Sequence, residues 1–226
     1  MPTPSGASSV SSEVSPWLMP IADSLSRYLV LPACFREIRA MGQEHLPKTG
    51  ATILAPTHRS RWDPLVLSHV TGRAVSGRDL RFMTTATETT GIQGWFARRL
   101  GAFPVDLKHP GIGSLRHGLD LLHQRQMLTI FPEGGIFHQD TLSRLKPGLG
   151  RLAMQAQSTQ PSLKVRVLPV AIRYSTVKPR WGCDAIVNIG QPIWAKDYSQ
   201  ESPKRSAKQL TADLSEVLQE LYDRAI

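Results

Sequence analysis

The stretch Ala51-Thr52-Ile53-Leu54-Ala55-Pro56-Thr57-His58-Arg59-Ser60-Arg61-Trp62-Asp63-Pro64 decides how this chain folds. Its apolar run predicts a buried strand that ends at Pro56, because proline has no N–H to donate to a sheet. An Asp-Pro pair before three apolar residues is typical of a helix start. His58 is therefore predicted on a loop between a strand and a helix, with Asp63 at the mouth of that helix.

The spacing of His58 and Asp63 has a chemical consequence. A loop of this length can curl back and bring the carboxylate to one ring nitrogen of the histidine, which leaves the other nitrogen unprotonated and facing outward. This arrangement is what a histidine general base needs. The alternative is that Asp63 only caps a helix and His58 is solvated, and the stretch alone leaves both interpretations open.

Composition bounds the class of protein. The chain has 226 residues, of which 41% are hydrophobic, so one globular domain with a tail is expected. The net charge of +9 favours an anionic partner, for which nucleic acid, an anionic membrane surface and a phosphorylated substrate all qualify. Two cysteines without a CxxC pair predict no metal site and no disulfide framework, and a reducing compartment is expected.

Three segments are predicted along the chain. Residues 1–15 are rich in Ser, Pro, Gly and Ala and predict a flexible tail. Residues 16–34 predict an amphipathic helix, too often interrupted by charge and proline to span a bilayer. That helix either packs on the core or lies in a lipid surface. Its apolar face comprises Trp17, Leu18, Ile21, Leu25, Tyr28 and Leu29. Residues 35–226 are predicted to form the main domain.

The main domain alternates predicted strands and helices, which favours an α/β fold with a mostly parallel or mixed sheet flanked by helices. Strands are predicted at 36–41, 53–55, 80–85, 102–105, 127–131, 165–172 and 185–190, and helices from 64 and at 92–100, 114–125, 147–157 and 207–221. His58 and Glu133 each follow a predicted strand. Because sites in such folds lie beyond the carboxyl ends of strands, the two are expected at the same edge.

Four motifs in order resemble those of the glycerolipid acyltransferase family, which includes the 1-acylglycerol-3-phosphate and glycerol-phosphate acyltransferases. The first is Thr57 to Pro64, with the lead-in Met41-Gly42-Gln43-Glu44-His45-Leu46-Pro47. The others are Gly101-Ala102-Phe103-Pro104-Val105, Phe131-Pro132-Glu133-Gly134 and Leu168-Pro169-Val170-Ala171-Ile172. The resemblance covers roughly residues 41–172, most of the ordered chain.

The resemblance implies acyl transfer from an acyl thioester, on coenzyme A or acyl carrier protein, to a hydroxyl. His58 would then be the general base, supported by Asp63, and no serine or cysteine nucleophile is required. Backbone amides near His58 or Gly134 would hold the oxyanion. Glu133 matches the family position that binds the acceptor. Its alternative is a turn carboxylate paired with one of the arginines.

The sequence also departs from the family pattern. Thr57 stands where the first motif usually has asparagine. Leu107 and Ile136 stand where the family has the two arginines that hold the acceptor phosphate. Lys108, Arg144, Lys146 and Arg151 could replace them, and Lys146 before a helix start is a reasonable anion site. The residues expected to bind substrate are Glu133, Gly134, Lys146, Arg61, Lys108 and Arg151.

The expected function is acyl transfer to the free hydroxyl of a lysophospholipid, with 1-acylglycerol-3-phosphate giving phosphatidate. The alternatives are a different acceptor, such as a lyso-glycolipid or other lyso-lipid, and a non-catalytic basic lipid-binding protein. No cofactor is expected beyond the acyl-CoA or acyl-ACP co-substrate. The expected partners are the thioester donor, the acceptor, an anionic membrane surface and acyl carrier protein, with no nucleic acid. The expected location is peripheral, on the cytoplasmic face of a membrane.

Overall fold

Within residues 12–105, 112–139, 141–198 and 202–224, which the computed structural model describes, eight strands form one mixed sheet in the order β1-β7-β6-β2-β5-β3-β4, with β8 beside β6. Strands β6, β2, β5, β3 and β4 run parallel to one another, and β7 runs antiparallel to β6. The strands are β1 Phe35–Met41, β2 Thr52–Pro56, β3 Leu80–Thr85, β4 Ala102–Val105, β5 Met127–Ile130, β6 Arg166–Tyr174, β7 Cys183–Ile189 and β8 Ile193–Trp194.

Eight α-helices in the same ranges flank this sheet. They are α1 Leu18–Leu25, α2 Leu31–Cys34, α3 Asp63–Thr71, α4 Arg73–Ser76, α5 Gly91–Arg99, α6 Ile112–His123, α7 Gly148–Thr159 and α8 Pro203–Asp223. The α/β architecture expected from the sequence is therefore confirmed. The two-residue strand β8 and the four-residue helix α4 were not predicted, because elements this short carry no periodic pattern of their own.

The sheet separates two hydrophobic clusters, because successive side chains of a strand point to opposite faces. Ile53 packs with residues of α6, α7 and α8 on one face. Leu54 packs with Val66 and Leu67 of α3 on the other. Both β2 residues are fully buried. A strand buried on both faces accounts for the uninterrupted apolar run that the sequence shows there.

The carboxyl ends of β2, β5 and β6 meet at one edge of the sheet, since β2 is parallel to both neighbours. The loop with His58 leaves β2 there, and the turn with Glu133 follows β5 at the same edge. Tyr174 is the last residue of β6. Side chains that are far apart in the sequence are thereby brought to one place.

The N-terminal segment differs in part from its prediction. A π-helical turn, Ser26–Val30, joins α1 to α2, so the helix is continuous up to β1. The predicted tail 1–15 lies mostly outside the described residues. Its end is docked, because Val14 forms a β-bridge with Leu100 and Ser15 N donates to Arg99 O at 2.8 Å. No helix in the described ranges is long and apolar enough to cross a bilayer.

The apolar face of the N-terminal helix does not pack on the core. Leu18 of this face is buried, as are Leu31 and Cys34 near the helix end. Its five other apolar side chains are between 51% and 77% exposed, namely Trp17, Ile21, Leu25, Tyr28 and Leu29. Of the two interpretations left open by the sequence, the structure therefore disfavours the core helix and leaves an unpartnered apolar face.

Candidate active site

His58 and Asp63 make the contact that their spacing predicted. His58 Nδ1 lies 2.8 Å from Asp63 Oδ2, and since an ionised carboxylate only accepts, Nδ1 donates. The imidazole stacks on Phe131, with ring centroids 4.0 Å apart. Nδ1 is occupied by this hydrogen bond, and the ring is held against Phe131. Nε2 is therefore the nitrogen left for a reacting group in the cavity that His58 lines.

Asp63 is fully buried and its carboxylate is fixed from both sides. Oδ2 accepts from the backbone N–H groups of Arg59 at 2.6 Å and Ser60 at 2.8 Å, in addition to His58. Oδ1 accepts from the hydroxyl of Tyr174 at 2.6 Å. Burial and the charge of Asp63 raise the pKa of the Tyr174 hydroxyl above its usual value, so it stays a donor.

Glu133, which the resemblance assigns to acceptor binding, is buried under the His58 loop and surrounded by donors of the protein itself. Its Oε1 accepts from His58 N at 2.8 Å, and its Oε2 accepts from Ser143 N at 3.0 Å. Arg59 Nη1 donates to both oxygens, at 3.0 and 2.9 Å. Both carboxylate oxygens are therefore hydrogen-bonded within the protein, and a role of Glu133 in binding the acceptor stays a prediction.

Arg59 completes a buried ion pair at the back of the loop. Its side chain is 3% exposed, and its guanidinium lies 4.9 Å from the centroid of the Tyr222 ring. The alternative interpretation of Glu133 as a turn carboxylate paired with an arginine therefore describes its position. The pair joins the loop after β2 to the turn after β5, and Phe137 N donates to His58 O at 3.0 Å across the same junction.

A cavity of about 620 Å³ opens beside the His58 ring. This volume lies in the range of sites that take small organic ligands. Most of the lining is apolar and comes from the sheet, from α5 and from the N-terminal helix, as in Phe82, Met83, Phe96, Ala97, Leu100 and Met19. His58 therefore lies at the wall of a cavity whose other lining residues are mostly apolar.

The charged groups on the cavity lining are already paired. Arg61, whose side chain is 77% exposed, lies 3.2 Å from Glu88. Arg73 forms an ion pair with Asp79. Ile136, at the position of a missing family arginine, also lines the cavity. Among the described residues, no group of three or more His, Cys, Asp and Glu side chains could hold a metal ion.

The remaining predicted substrate residues fall in different places. Gly134 lines the cavity in a left-handed conformation with φ of +74°, and the Lys146 side chain packs against it. Arg61 lines the cavity as described. Arg151 is exposed on α7 and is not on the lining. Lys108, like Leu107, lies outside the described residues.

Two residues of the site were not singled out by the sequence analysis. Arg59 sits inside the first motif, where a charge next to a loop histidine gave no sign of its burial. Tyr174 follows the fourth motif at the end of β6. The available signal was its position at a strand end, because β6 is the neighbour of β2, the strand that leads into the His58 loop, and both end at the same edge.

The chain is similar to known acyltransferases in sequence and in fold. A family model described as Acyltransferase matches residues 37–173. Over 154 residues, 66% of this chain, the sequence is 30% identical to a 1-acyl-sn-glycerol-3-phosphate acyltransferase of Streptococcus pneumoniae, and the match covers 52% of that protein. Over 196 residues it is 24% identical to the protein of the same name from Bacillus subtilis, covering 83% of this chain and 89% of that protein.

Other matches are partial or show the fold alone. Glycerol-3-phosphate O-acyltransferase 2 of Saccharomyces cerevisiae is 29% identical over 112 residues, which is 46% of this chain and 15% of that protein. The chain thus spans about half the length of the pneumococcal relative and much less of the yeast one. The crystal structure of a 1-acyl-sn-glycerophosphate acyltransferase from Thermotoga maritima superposes with a TM-score of 0.69 at 18% identity, covering 92% of this chain and 79% of that one.

Proposed function

The chain belongs to the acyltransferase family, and from that premise we propose that it transfers a fatty acyl group from an acyl thioester to the free hydroxyl of a lysophospholipid. The expected acceptor is 1-acylglycerol-3-phosphate, which would give phosphatidate. The observation that carries the proposal is the 2.8 Å contact between His58 Nδ1 and Asp63 Oδ2, at the wall of a cavity lined mostly by apolar side chains.

The proposed chemistry follows from the orientation of the imidazole. Nε2 of His58 takes the proton of the acceptor hydroxyl while that oxygen attacks the thioester carbonyl carbon. Asp63 stabilises the imidazolium that forms. When the tetrahedral intermediate collapses, the C–S bond breaks, the acyl ester is released, and the leaving thiolate takes the proton back from His58. Backbone N–H groups of the turn from Gly134 to Ile136, which lines the cavity, are our candidates for holding the oxyanion.

The cavity supports an acyl chain as the group transferred. Its apolar walls would shield the chain from water, a favourable transfer of about 0.8 kcal/mol per methylene. Ala97 of α5 faces this cavity and is half-buried. We expect Ala97→Phe to fill part of the volume and to shift the preferred acyl donor toward shorter chains, measured as kcat/KM over a series of acyl-CoAs.

The control for this prediction is Ala74→Phe, which makes the same change at an exposed position of α4 that does not line the cavity. This variant should keep the chain-length profile of the parent. An unaltered profile in Ala97→Phe, with both variants folded, would show that the acyl chain lies elsewhere.

The exposed apolar side chains of two helices that line the cavity support a membrane surface as the place of action. The N-terminal helix and α5 both contribute to the lining. Both also expose apolar side chains, which on α5 are Ile92, Trp95 and Phe96. Arg99 lies over the Trp95 ring, at 4.4 Å from its centroid. Aromatic and apolar side chains with nearby arginines are typical of surfaces that rest on anionic lipid. We therefore propose a peripheral location, on the cytoplasmic face of a membrane.

Replacing one exposed leucine with a charge tests this surface. Leu29→Glu should weaken binding to vesicles of phosphatidylglycerol and phosphatidylcholine by roughly 10- to 100-fold, because an apolar contact of roughly 1.5–3 kcal/mol is lost and each 1.4 kcal/mol is a factor of ten. Sedimentation with the vesicles measures it. Ser158→Glu adds the same charge at an exposed position of α7, outside the N-terminal helix and the cavity lining, and should bind nearly as the parent does. Equal weakening in both variants would mean that charge alone is responsible.

An acceptor panel tests the function as a whole. The full chain is mixed with palmitoyl-CoA or palmitoyl-ACP and with lysophosphatidate, lysophosphatidylglycerol or a lyso-glycolipid in detergent micelles. Thiol release is measured with and without acceptor, and products are identified by mass spectrometry. Phosphatidate formed in an acceptor-dependent reaction is the expected result. Vesicle binding without any acyl transfer would instead favour the non-catalytic lipid-binding alternative.

A second acceptor class has one observation in its favour. The lining position that matches a phosphate-binding arginine of the family is Ile136, and the arginines on the lining are paired with carboxylates. A lyso-glycolipid needs no such cation. Preference for it over lysophosphatidate in the same panel would replace the first acceptor with the second and leave the chemistry unchanged.

A further inference from the structure

The two oxygens of the Asp63 carboxylate accept different numbers of hydrogen bonds. Its three donors from the His58 loop, which are His58 Nδ1 and the backbone N–H groups of Arg59 and Ser60, all reach Oδ2. The donor to Oδ1 is the hydroxyl of Tyr174, at 2.6 Å. Asp63 is fully buried, so solvent does not take the place of that hydroxyl. A buried carboxylate oxygen that loses its donor is strongly disfavoured.

Tyr174 is itself fixed from several sides. It is the last residue of β6, pairs in register with Ala185 of β7, and is 8% exposed. Its ring stacks on Phe35, with centroids 5.9 Å apart and planes at 23°. Phe35 meets Trp62, the residue before Asp63, edge-on at 5.8 Å. The hydroxyl therefore reaches Oδ1 from a rigid strand end, and burial keeps it protonated.

We propose that Tyr174 is a positioning residue for the reaction at His58. Its hydroxyl stops the Asp63 carboxylate from turning about its Cβ–Cγ bond. Oδ2 then stays on His58 Nδ1, which keeps the imidazole in the tautomer with a free Nε2. The inference rests on the proposed function for its kinetic consequence, but the hydrogen bonds that it concerns exist without substrate. Tyr174 touches neither donor nor acceptor in this proposal.

Tyr174→Phe removes the hydroxyl and keeps the ring. We expect kcat to fall about tenfold, equivalent to about 1.4 kcal/mol in the barrier, while KM for acyl-CoA and for acceptor changes less than about twofold. The matched control is Tyr198→Phe, which removes another tyrosine–aspartate hydrogen bond of 2.6 Å, to Asp213, away from the cavity. This control should keep the parental kcat. Equal kcat in parent and Tyr174→Phe would overturn the proposal.

A spectroscopic measurement makes the test independent of turnover. The Nδ1 proton of His58 should give a downfield ¹H NMR signal in the free protein that is absent in His58→Ala. In Tyr174→Phe the signal should broaden or move upfield as the carboxylate loosens, and in Tyr198→Phe it should stay. A protein that shows these spectra but no acyl transfer would remove the proposed function and keep the positioning role. An unchanged signal in Tyr174→Phe would remove the positioning role.

Folding of the variants is checked by thermal melting. If Tyr174→Phe does not fold, Phe35→Leu replaces it, because it keeps the hydroxyl and removes the ring on which Tyr174 stacks. A smaller fall in kcat, about threefold with unchanged KM, and a broadened Nδ1 signal are then expected. A parental kcat and a parental signal in a folded Phe35→Leu protein would overturn the proposal.

Discussion

Replacing His58 with alanine is expected to lower kcat by roughly 10²- to 10⁴-fold, the contribution of a well-placed general base. The imidazole stacks on Phe131 and donates to a fully buried carboxylate. These two contacts fix the orientation of the ring, so its free nitrogen is held at the cavity wall. The substitution removes this nitrogen and leaves the apolar cavity in place. KM for the acyl thioester should therefore change little.

Thiol release from palmitoyl-CoA, in the presence of acceptor, measures the effect. His123→Ala is the matched control, because His123 is a partly buried histidine at the end of α6 and is not on the cavity lining. It should retain parental turnover. Equal rates for parent and His58→Ala would end the proposal that the His58–Asp63 pair carries acyl transfer.

Glu133→Gln is expected to destabilise the protein by about 3–5 kcal/mol, the usual cost of breaking a buried ion pair from one side. The melting temperature should fall by roughly 10 °C. Glutamine offers one accepting oxygen where Glu133 uses two, so its NH₂ group would face Arg59 or Ser143 N, both donors. The Arg59 charge, 3% exposed, would also be left without its partner.

The same variant separates the two interpretations of Glu133. If the carboxylate holds the His58 loop, Glu133→Gln loses stability and kcat together, because His58 N donates to Oε1. If it binds the acceptor, KM for the acceptor rises and the melting temperature stays. Glu220→Gln is the control, since it breaks an exposed ion pair with Arg224 and should leave both melting and turnover near the parent.

Much of the fold could be predicted because its elements are strongly patterned. The predicted strand bounds at 80–85 and 102–105 coincide with β3 Leu80–Thr85 and β4 Ala102–Val105. Apolar alternation and the turn residues that end each run account for this agreement. The antiparallel direction of β7 relative to β6 was not predicted, although the connection between Tyr174 and Cys183 is too short for the crossover that a parallel pair needs.

Within the site, local spacing and long-range contact gave different outcomes. The His58–Asp63 contact was predictable because five positions on one loop restrict how far the side chains can separate. The partners of Glu133 and Asp63 were not predictable. The side chain of Arg59 could point toward solvent or toward the interior, and Tyr174 lies 111 positions from Asp63 in the chain. Which face a side chain takes depends on the strands that flank it.

The sequence by itself determined the α/β fold, the loop that brings His58 to Asp63, and the apolar face of the N-terminal helix. Each of these follows from a pattern of residues that are close to one another along the chain. The tertiary structure decided that Glu133 pairs with Arg59, that the Tyr174 hydroxyl donates to Asp63, and that the apolar face of the N-terminal helix does not pack on the core. These depend on the parallel alignment of β2 with β5 and β6, which places three strand ends together. That alignment is fixed by packing across the whole sheet, which no local pattern of residues contains.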